Sequence, residues 1–166
     1  MEASPKGVFL INVDEAIPAM EGHSGVGVVI RVWENQVVAA ISLTLPGNFA
    51  VEETEAIAME QGFVLAHMLG LENIMVEGDA LQTIRAVQAK DCKGVAGHII
   101  AGIIQEMSKF QIAVTRHISR NGNKVAHELA QYAKRSRELK SWFGTAPEFI
   151  STSRKLTRYM GIYNYF

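Results

Sequence analysis

The stretch Val8-Phe9-Leu10-Ile11-Asn12-Val13-Asp14 is an apolar, β-branched run that ends on an acidic residue. This composition predicts a buried β-strand with Asp14 at its carboxyl end. A second run of the same kind, Asn73 to Glu77, is followed by Gly78 and Asp79. Helical patterns separate the two runs, so we expect the strands to pair in parallel. Parallel pairing would bring Asp14 and Asp79 to the same edge of a sheet.

Three more segments complete the predicted sheet. Gly25 to Trp33 places apolar residues at every second position, and Val37 to Leu45 follows after a short polar turn. These two segments predict an antiparallel hairpin that extends the first strand. Gln111 to Ile118 predicts a fifth strand, parallel to the first and fourth. The expected sheet is therefore mixed and five-stranded.

Helical patterns fill the remaining intervals. Asn48 is placed to cap a helix that runs to Leu69, and a second helix is expected to open at Gly78-Asp79 and continue to about Ala89. Further helices are predicted over Ala96 to Lys109 and over Asn121 to Glu138. The fold class is accordingly α/β, with a mixed sheet flanked by helices.

The chain of 166 residues suits one domain, expected over residues 7–140, and residues 141–166 form a basic, aromatic tail to which the pattern assigns no structure. We expect the domain to fold without this tail and to be a monomer. The longest apolar stretches are too short to cross a bilayer, which predicts no membrane partner. The N-terminus has no secretory pattern, and the single cysteine, Cys92, excludes an internal disulfide and a zinc site built from several thiolates. An intracellular location, nuclear or cytoplasmic, is expected.

The charge is distributed unevenly along the chain. The net charge is only -1, yet residues 1–108 hold 5 Lys+Arg against 14 Asp+Glu, while residues 109–166 hold 11 against 3. Such asymmetry indicates a face that binds a polyanion such as nucleic acid. A solvated, salt-bridged surface is the alternative that charge alone leaves open.

Three acidic residues are expected to converge at the carboxyl edge of the sheet. Asp14 and Asp79 end parallel strands, and Glu55 lies in the early turns of the intervening helix. Carboxylate oxygens suit Mg²⁺ or Mn²⁺, and two such ions about 4 Å apart can activate water for phosphodiester hydrolysis. Each residue also has a structural interpretation: Asp14 as a turn residue, Glu55 as a complement to the helix dipole, and Asp79 with Gln82 as a helix cap.

Five motifs in fixed order resemble the ribonuclease H-like domain, in its plant reverse-transcriptase-like (RNase H type-1) branch, which occurs alone or at the end of retroelement proteins. The motifs are Asn12-Val13-Asp14, Gly25 to Arg31, Glu55-Ala56, Val76-Glu77-Gly78-Asp79, and His117 to Ala130. The resemblance covers roughly Gly7 to Lys140. It implies a five-stranded mixed sheet with flanking helices and metal-dependent cleavage of the RNA strand of an RNA–DNA hybrid.

The resemblance also implies roles for single residues. Asp14, Glu55 and Asp79 correspond to the metal ligands, and His117 to a histidine in a mobile loop credited with proton transfer or product release. The expected nucleic-acid contacts come from the basic C-terminal part of the chain and from the start of the last helix: Arg116, Arg120, Asn123, Lys124, Lys134 and Arg135.

Two positions depart from the family pattern. His127 stands where catalytic members carry a fourth acidic ligand, and imidazole is a poor ligand for Mg²⁺ though a fair one for softer ions. Glu15 stands where a glycine lets the backbone approach RNA, adding bulk and negative charge. The sequence therefore predicts a slow hydrolase. A nucleic-acid-binding module without turnover, and a retroelement remnant whose tail docks another protein, remain alternatives.

Overall fold

The computed structural model describes residues 7–20, 22–32 and 36–151, and they form one mixed sheet with helices on both faces. The strands are β1 Phe9–Ala16, β2 Ser24–Arg31, β3 Val37–Leu45, β4 Asn73–Gly78, β5 Ile112–His117 and β6 Lys140–Phe143. The helices are α1 Val51–Met68, α2 Leu81–Ala89, α3 Gly97–Met107, α4 Lys124–Ser136 and α5 Glu148–Ser151, with a 3-10 turn at Arg120–Gly122.

The sheet has the strand order β5-β4-β1-β2-β3-β6. β1, β2 and β3 pair antiparallel, whereas β1, β4 and β5 pair in parallel. These pairings confirm the mixed α/β architecture and the parallel arrangement of the two strands that end in acidic residues. The carboxyl ends of β1, β4 and β5 consequently share one edge of the sheet.

The sheet has six strands, one more than the five predicted from the sequence. β6 pairs antiparallel with β3, and a boundary after Lys140 cuts through it. Beyond β6, Ile150 is fully buried and packs with Trp142 in a second core. A four-residue strand is too short to show a period, and the burial of Ile150 depends on contacts far away in sequence, which is why the sequence pattern assigned no structure there. The part of the predicted tail from residue 152 onward lies outside the described residues.

The closest approach between a helix and the sheet occurs where α4 crosses β2. A Cβ atom on Gly27 would lie 2.1 Å from the carbonyl oxygen of Ala126, and one on Gly25 would lie 2.1 Å from that of Ala130. The two glycines therefore let α4 rest directly on the strand backbone. Ser42 adds a further contact between α4 and the sheet, since its hydroxyl donates a hydrogen bond to the Leu129 carbonyl over 2.7 Å. Gly27 lies opposite Asp14 in the register, so this packing brings the start of α4 to the end of β1.

Helix ends differ from the prediction in detail. Asn48 does not cap α1, which begins at Val51; instead the Glu53 carboxylate accepts a hydrogen bond from the Ala50 backbone N–H over 3.1 Å. α4 begins at Lys124, after the 3-10 turn. Across the described ranges, no helix is both long and apolar enough to cross a membrane.

Candidate active site

An open pocket of about 360 Å³ lies at the carboxyl edge of β1 and β4. Asp14 reaches it from β1, Glu55 from α1, and Asp79 from the position directly after β4. The three predicted carboxylates are thus brought together by strand pairing and helix packing. The full lining consists of Asp14, Glu15, Glu55, Asp79, Ala80, Arg120, Asn121, Asn123, Lys124 and His127.

Asp79 does not act as a helix cap. α2 begins at Leu81 with Ala80 in the capping position, and no side chain caps it. The Asp79 carboxylate instead lies 3.4 Å from the Nε of Arg120, whose side chain is almost fully exposed. The capping interpretation of Asp79 therefore fails, and the carboxylate is available to the pocket.

His127 contacts Asp14 directly. Its Nδ1 lies 2.9 Å from the Asp14 Oδ2, and the imidazole is 56% exposed whereas the carboxylate is only 7% exposed. Burial and, second to it, the charge of Asp79 raise the pKa of Asp14 to about 6, and the bond to His127 opposes this rise. His127 is thus largely exposed to solvent, but it is also bonded to a site carboxylate.

Glu15 is a fourth acidic group in the pocket. Burial, followed by the charges of Asp14, Glu55 and Asp79, raises the pKa of Glu15 to about 8. At neutral pH its side chain is therefore mostly protonated. From the sequence, Glu15 was expected to add bulk and negative charge to the site. The bulk is present, but at neutral pH most of the negative charge is not.

Glu55 is held from the neighbouring helix. The hydroxyl of Thr83 donates to the Glu55 Oε2 over 2.9 Å. Burial raises the pKa of Glu55, and the bond from Thr83 lowers it. Thr83 was not predicted from the sequence, because a threonine inside a helix does not reveal its partner unless the packing of α2 against α1 is known.

Asn123 has a structural position rather than an exposed one. It is 2% exposed, and its Nδ2 donates to the Val13 carbonyl over 2.8 Å. The bond ties the start of α4 to β1 one residue before Asp14. Asn123 lines the pocket, but its side chain is engaged within the protein in this conformation, and its contact with nucleic acid stays a prediction.

His117 lies outside the pocket lining. It is the last residue of β5, opposite Gly78 in the register, and it is exposed. The resemblance placed it in a mobile loop, whereas the structure places it at a strand end on the same edge as the carboxylates.

The basic residues divide into three groups. Arg116 is engaged with the buried Glu77, whose Oε2 lies 3.2 Å from its Nη2, so it is a structural partner rather than a free phosphate contact. Arg120 and Lys124 line the pocket. Lys134 and Arg135 lie in the last turn of α4, away from the pocket lining.

A buried cluster of charged and polar side chains on β1, β2, β4 and β5 was not predicted from the sequence. Glu77 is 2% exposed, and besides Arg116 it lies 3.6 Å from the Nη2 of Arg31. The Nε of Arg31 also donates to the Asn12 Oδ1 over 2.8 Å. The available signal was a charged residue inside a strand predicted to be buried, which requires opposite charges on neighbouring strands.

The sequence model of the reverse transcriptase-like family matches residues 12–133. The chain belongs to that family. The matched range of this reverse transcriptase-like protein runs from β1 to the third turn of α4 and contains Asp14, Glu55, Asp79 and His127. A comparison with curated proteins finds no match.

Solved structures show that the fold is that of RNase H. RNase H1 from the halophilic archaeon Halobacterium salinarum is 20% identical with a TM-score of 0.70, covering 76% of this chain and 97% of that one. LC11-RNase H1 in complex with RNA/DNA hybrid is 22% identical with a TM-score of 0.69, covering 78% and 98%. The foamy viral protease-reverse transcriptase in complex with RNA/DNA hybrid is 19% identical with a TM-score of 0.61; the match covers 78% of this chain and 20% of that one.

Proposed function

We propose that this reverse transcriptase-like protein is a metal-dependent hydrolase that cleaves the RNA strand of RNA–DNA hybrids slowly. The observation that carries the proposal is the pocket shared by Asp14, Glu55 and Asp79. The three side chains come from separate elements, and the chain supplies the pocket with more acidic than basic groups. Two structures with the same fold were solved with RNA/DNA hybrid, which supports this substrate class.

The donor set suits Mg²⁺ or Mn²⁺. The pocket offers carboxylate oxygens, and the amide oxygen of Asn123 beside it is buried without a hydrogen-bond partner among the described residues. Within those residues no three His, Cys, Asp or Glu side chains stand close enough to enclose an ion, so binding requires the carboxylates to rotate towards each other. Asp14, Glu55 and Asp79 would hold the ion, and the imidazole of His127 offers a further nitrogen that suits Mn²⁺ better than Mg²⁺. A bound divalent ion activates water and stabilises the leaving oxygen.

The protein's own groups prepare the site. The bond between His127 and Asp14 holds the Asp14 side chain. The bond from Asn123 to Val13 holds the end of β1 directly before Asp14. Arg120 and Lys124, at the pocket, are placed to contact the phosphates of the substrate backbone. His117 is exposed at the same sheet edge, and we assign it the transfer of a proton to the leaving oxygen or the release of product.

A nucleic-acid-binding module without turnover is the second candidate. It is favoured by the bond between His127 and Asp14, which engages one site carboxylate within the protein. In that case the basic residues at the pocket would bind hybrid, and the carboxylates would not support hydrolysis.

Incubation of end-labelled RNA–DNA hybrid with the protein in Mg²⁺ or Mn²⁺ separates the two. We expect slow cleavage of the RNA strand, faster in Mn²⁺, and none with Asp79→Asn or in chelator. Binding of hybrid that persists in chelator, with no cleavage in either metal, would establish the binding module instead.

A further inference from the structure

One hydroxyl group connects α1 to α2 beneath the pocket. Thr83 lies in the first turn of α2, is 6% exposed, and donates from its Oγ1 to the Glu55 Oε2 over 2.9 Å. The two residues are 28 positions apart in sequence. The bond is therefore a tertiary contact between a buried side chain and one of the site carboxylates.

Thr83 donates its hydrogen bond to an acceptor that is unusual for a threonine in a helix. A buried hydroxyl has to donate to some acceptor, and a helical threonine commonly donates to the carbonyl oxygen three or four residues earlier. Here it spans two helices to reach a carboxylate, and hydrogen bonds to charged acceptors are the stronger kind. Among the described residues, no hydrogen bond to the other Glu55 oxygen is present. One oxygen is thus fixed, and the other can face the pocket.

The same turn of α2 controls a second carboxylate. Asp79 directly precedes Ala80, the capping residue of α2. The backbone position of Asp79 is therefore tied to the first turn of that helix. Thr83 lies in this turn and fixes Glu55. The continuous segment of residues 79–83 and the Thr83 hydroxyl therefore link the Glu55 carboxylate to Asp79.

We propose that Thr83 is a positioning residue, whose hydroxyl fixes the Glu55 carboxylate in the orientation needed to share a divalent ion with Asp79. This inference rests on the proposed function. Groups that orient metal ligands without touching the metal commonly change affinity or activity about 10- to 100-fold when they are lost. Thr83 acts through Glu55 and contacts no reacting atom.

The test compares Thr83→Val with Thr83→Ser and with a matched control elsewhere. Valine keeps the β-branched shape and removes the hydroxyl, whereas serine keeps the hydroxyl. Thr44→Val is the control, because the Thr44 hydroxyl also makes one 2.9 Å bond, to the Ala133 carbonyl, away from the pocket. Mn²⁺ binding is measured by calorimetry, and hybrid cleavage is measured as kcat and KM.

For Thr83→Val we expect the Mn²⁺ dissociation constant to rise roughly tenfold. At fixed subsaturating Mn²⁺ we expect kcat to fall similarly, with the KM for hybrid unchanged. Thr83→Ser should restore both values to within about twofold, and Thr44→Val should change neither. Equal Mn²⁺ affinity in the wild type and Thr83→Val, or an equal loss in Thr44→Val, would overturn the assignment while leaving the proposed function intact.

A metal-free measurement keeps the two proposals separable. If the wild type binds no Mn²⁺ and cleaves no hybrid, the proposed function fails. The contact itself is then judged in chelator by urea unfolding of Thr83→Val, Glu55→Ala and the double variant. We expect the two changes to be non-additive, with a coupling of at least about fivefold in the unfolding equilibrium constant. Additive effects would show that Thr83 does not hold Glu55.

Discussion

Two groups of charged side chains, around Glu77 and around Asp79, lie close together in the sequence of β4 and the residue after its end, and they are compensated differently. Glu77 lies within β4 and is flanked by Arg31 of β2 and Arg116 of β5. Asp79, two residues later, lies at the pocket with three other acidic groups, and the nearest cation, Arg120, is almost fully exposed. The chain neutralises the first cluster internally. It compensates the second less, with Arg120 exposed to solvent, and this difference distinguishes a structural cluster from the candidate site.

The largest effect on stability is expected at the compensated cluster. Glu77→Gln leaves two partly buried guanidinium groups without their anion, and breaking such a pair costs about 3 kcal/mol. Urea unfolding measures the loss, with the exposed Glu128→Gln as the control. A loss no larger than that of the control would mean that Glu77 does not compensate Arg31 and Arg116.

The contact between His127 and Asp14 gives the next largest effect. His127→Asp would supply the carboxylate that Mg²⁺ prefers and should raise the Mg²⁺-dependent cleavage rate by tens of times, which is roughly 2 kcal/mol. It should also lower the stability of the metal-free protein, because it adds an anion beside Asp14. His127→Ala serves as the control, since it removes the imidazole without adding a ligand. Equal Mg²⁺ rates in all three proteins would show that this position contributes no ligand.

The uncompensated cluster should make the stability of the metal-free protein depend on pH. The raised pKa values of Glu15, about 8, and Asp14, about 6, mean that the folded protein retains protons which the unfolded chain has already released. Their contribution to stability is therefore complete below the unfolded value, near pH 4, and is lost as the pH rises towards 8. The slope approaches about 1.4 kcal/mol per pH unit for each proton.

Denaturation between pH 5 and pH 8.5 in chelator checks this contribution. Glu15→Gln should be destabilised less than the wild type by the rise in pH, because its side chain has no proton to lose. An identical pH profile for the two proteins would show that Glu15 titrates normally.

The smallest effects concern the cations. Arg120→Ala and Lys124→Ala should each reduce the salt dependence of binding to hybrid by about 0.7 to 0.9 log units per log of salt. Charge removal at Lys134 and Arg135 is tested in the same way, and we expect it to lower affinity for all sequences alike. Arg116→Gln, which removes the charge, should leave the slope unchanged, because Arg116 is engaged with Glu77. A reduced slope for Arg116→Gln would show that Arg116 contacts the nucleic acid.

The sequence predicted the parts of this site that depend on strand order. Alternating helices and strands were enough to expect parallel pairing, and parallel pairing was enough to expect Asp14 near Asp79. The contacts that hold the site were not predictable. Asn123 and Val13 are 110 residues apart, and the bonds from Thr83 and His127 depend on how closely helices pack. Local periodicity carries no information about such distances.

The most direct test of the central claim is a thermal unfolding titration with Mg²⁺ and Mn²⁺. A cation that binds only the native protein at a hundred times its dissociation constant stabilises it by about 2.7 kcal/mol. We predict that the melting temperatures of the wild type and Glu77→Gln rise by the same amount with metal. Asp79→Asn should lose most of that rise while melting slightly higher without metal, since one repelling charge is gone. An equal rise in all three proteins, or none in the wild type, would contradict the claim that the uncompensated carboxylates form a divalent metal site.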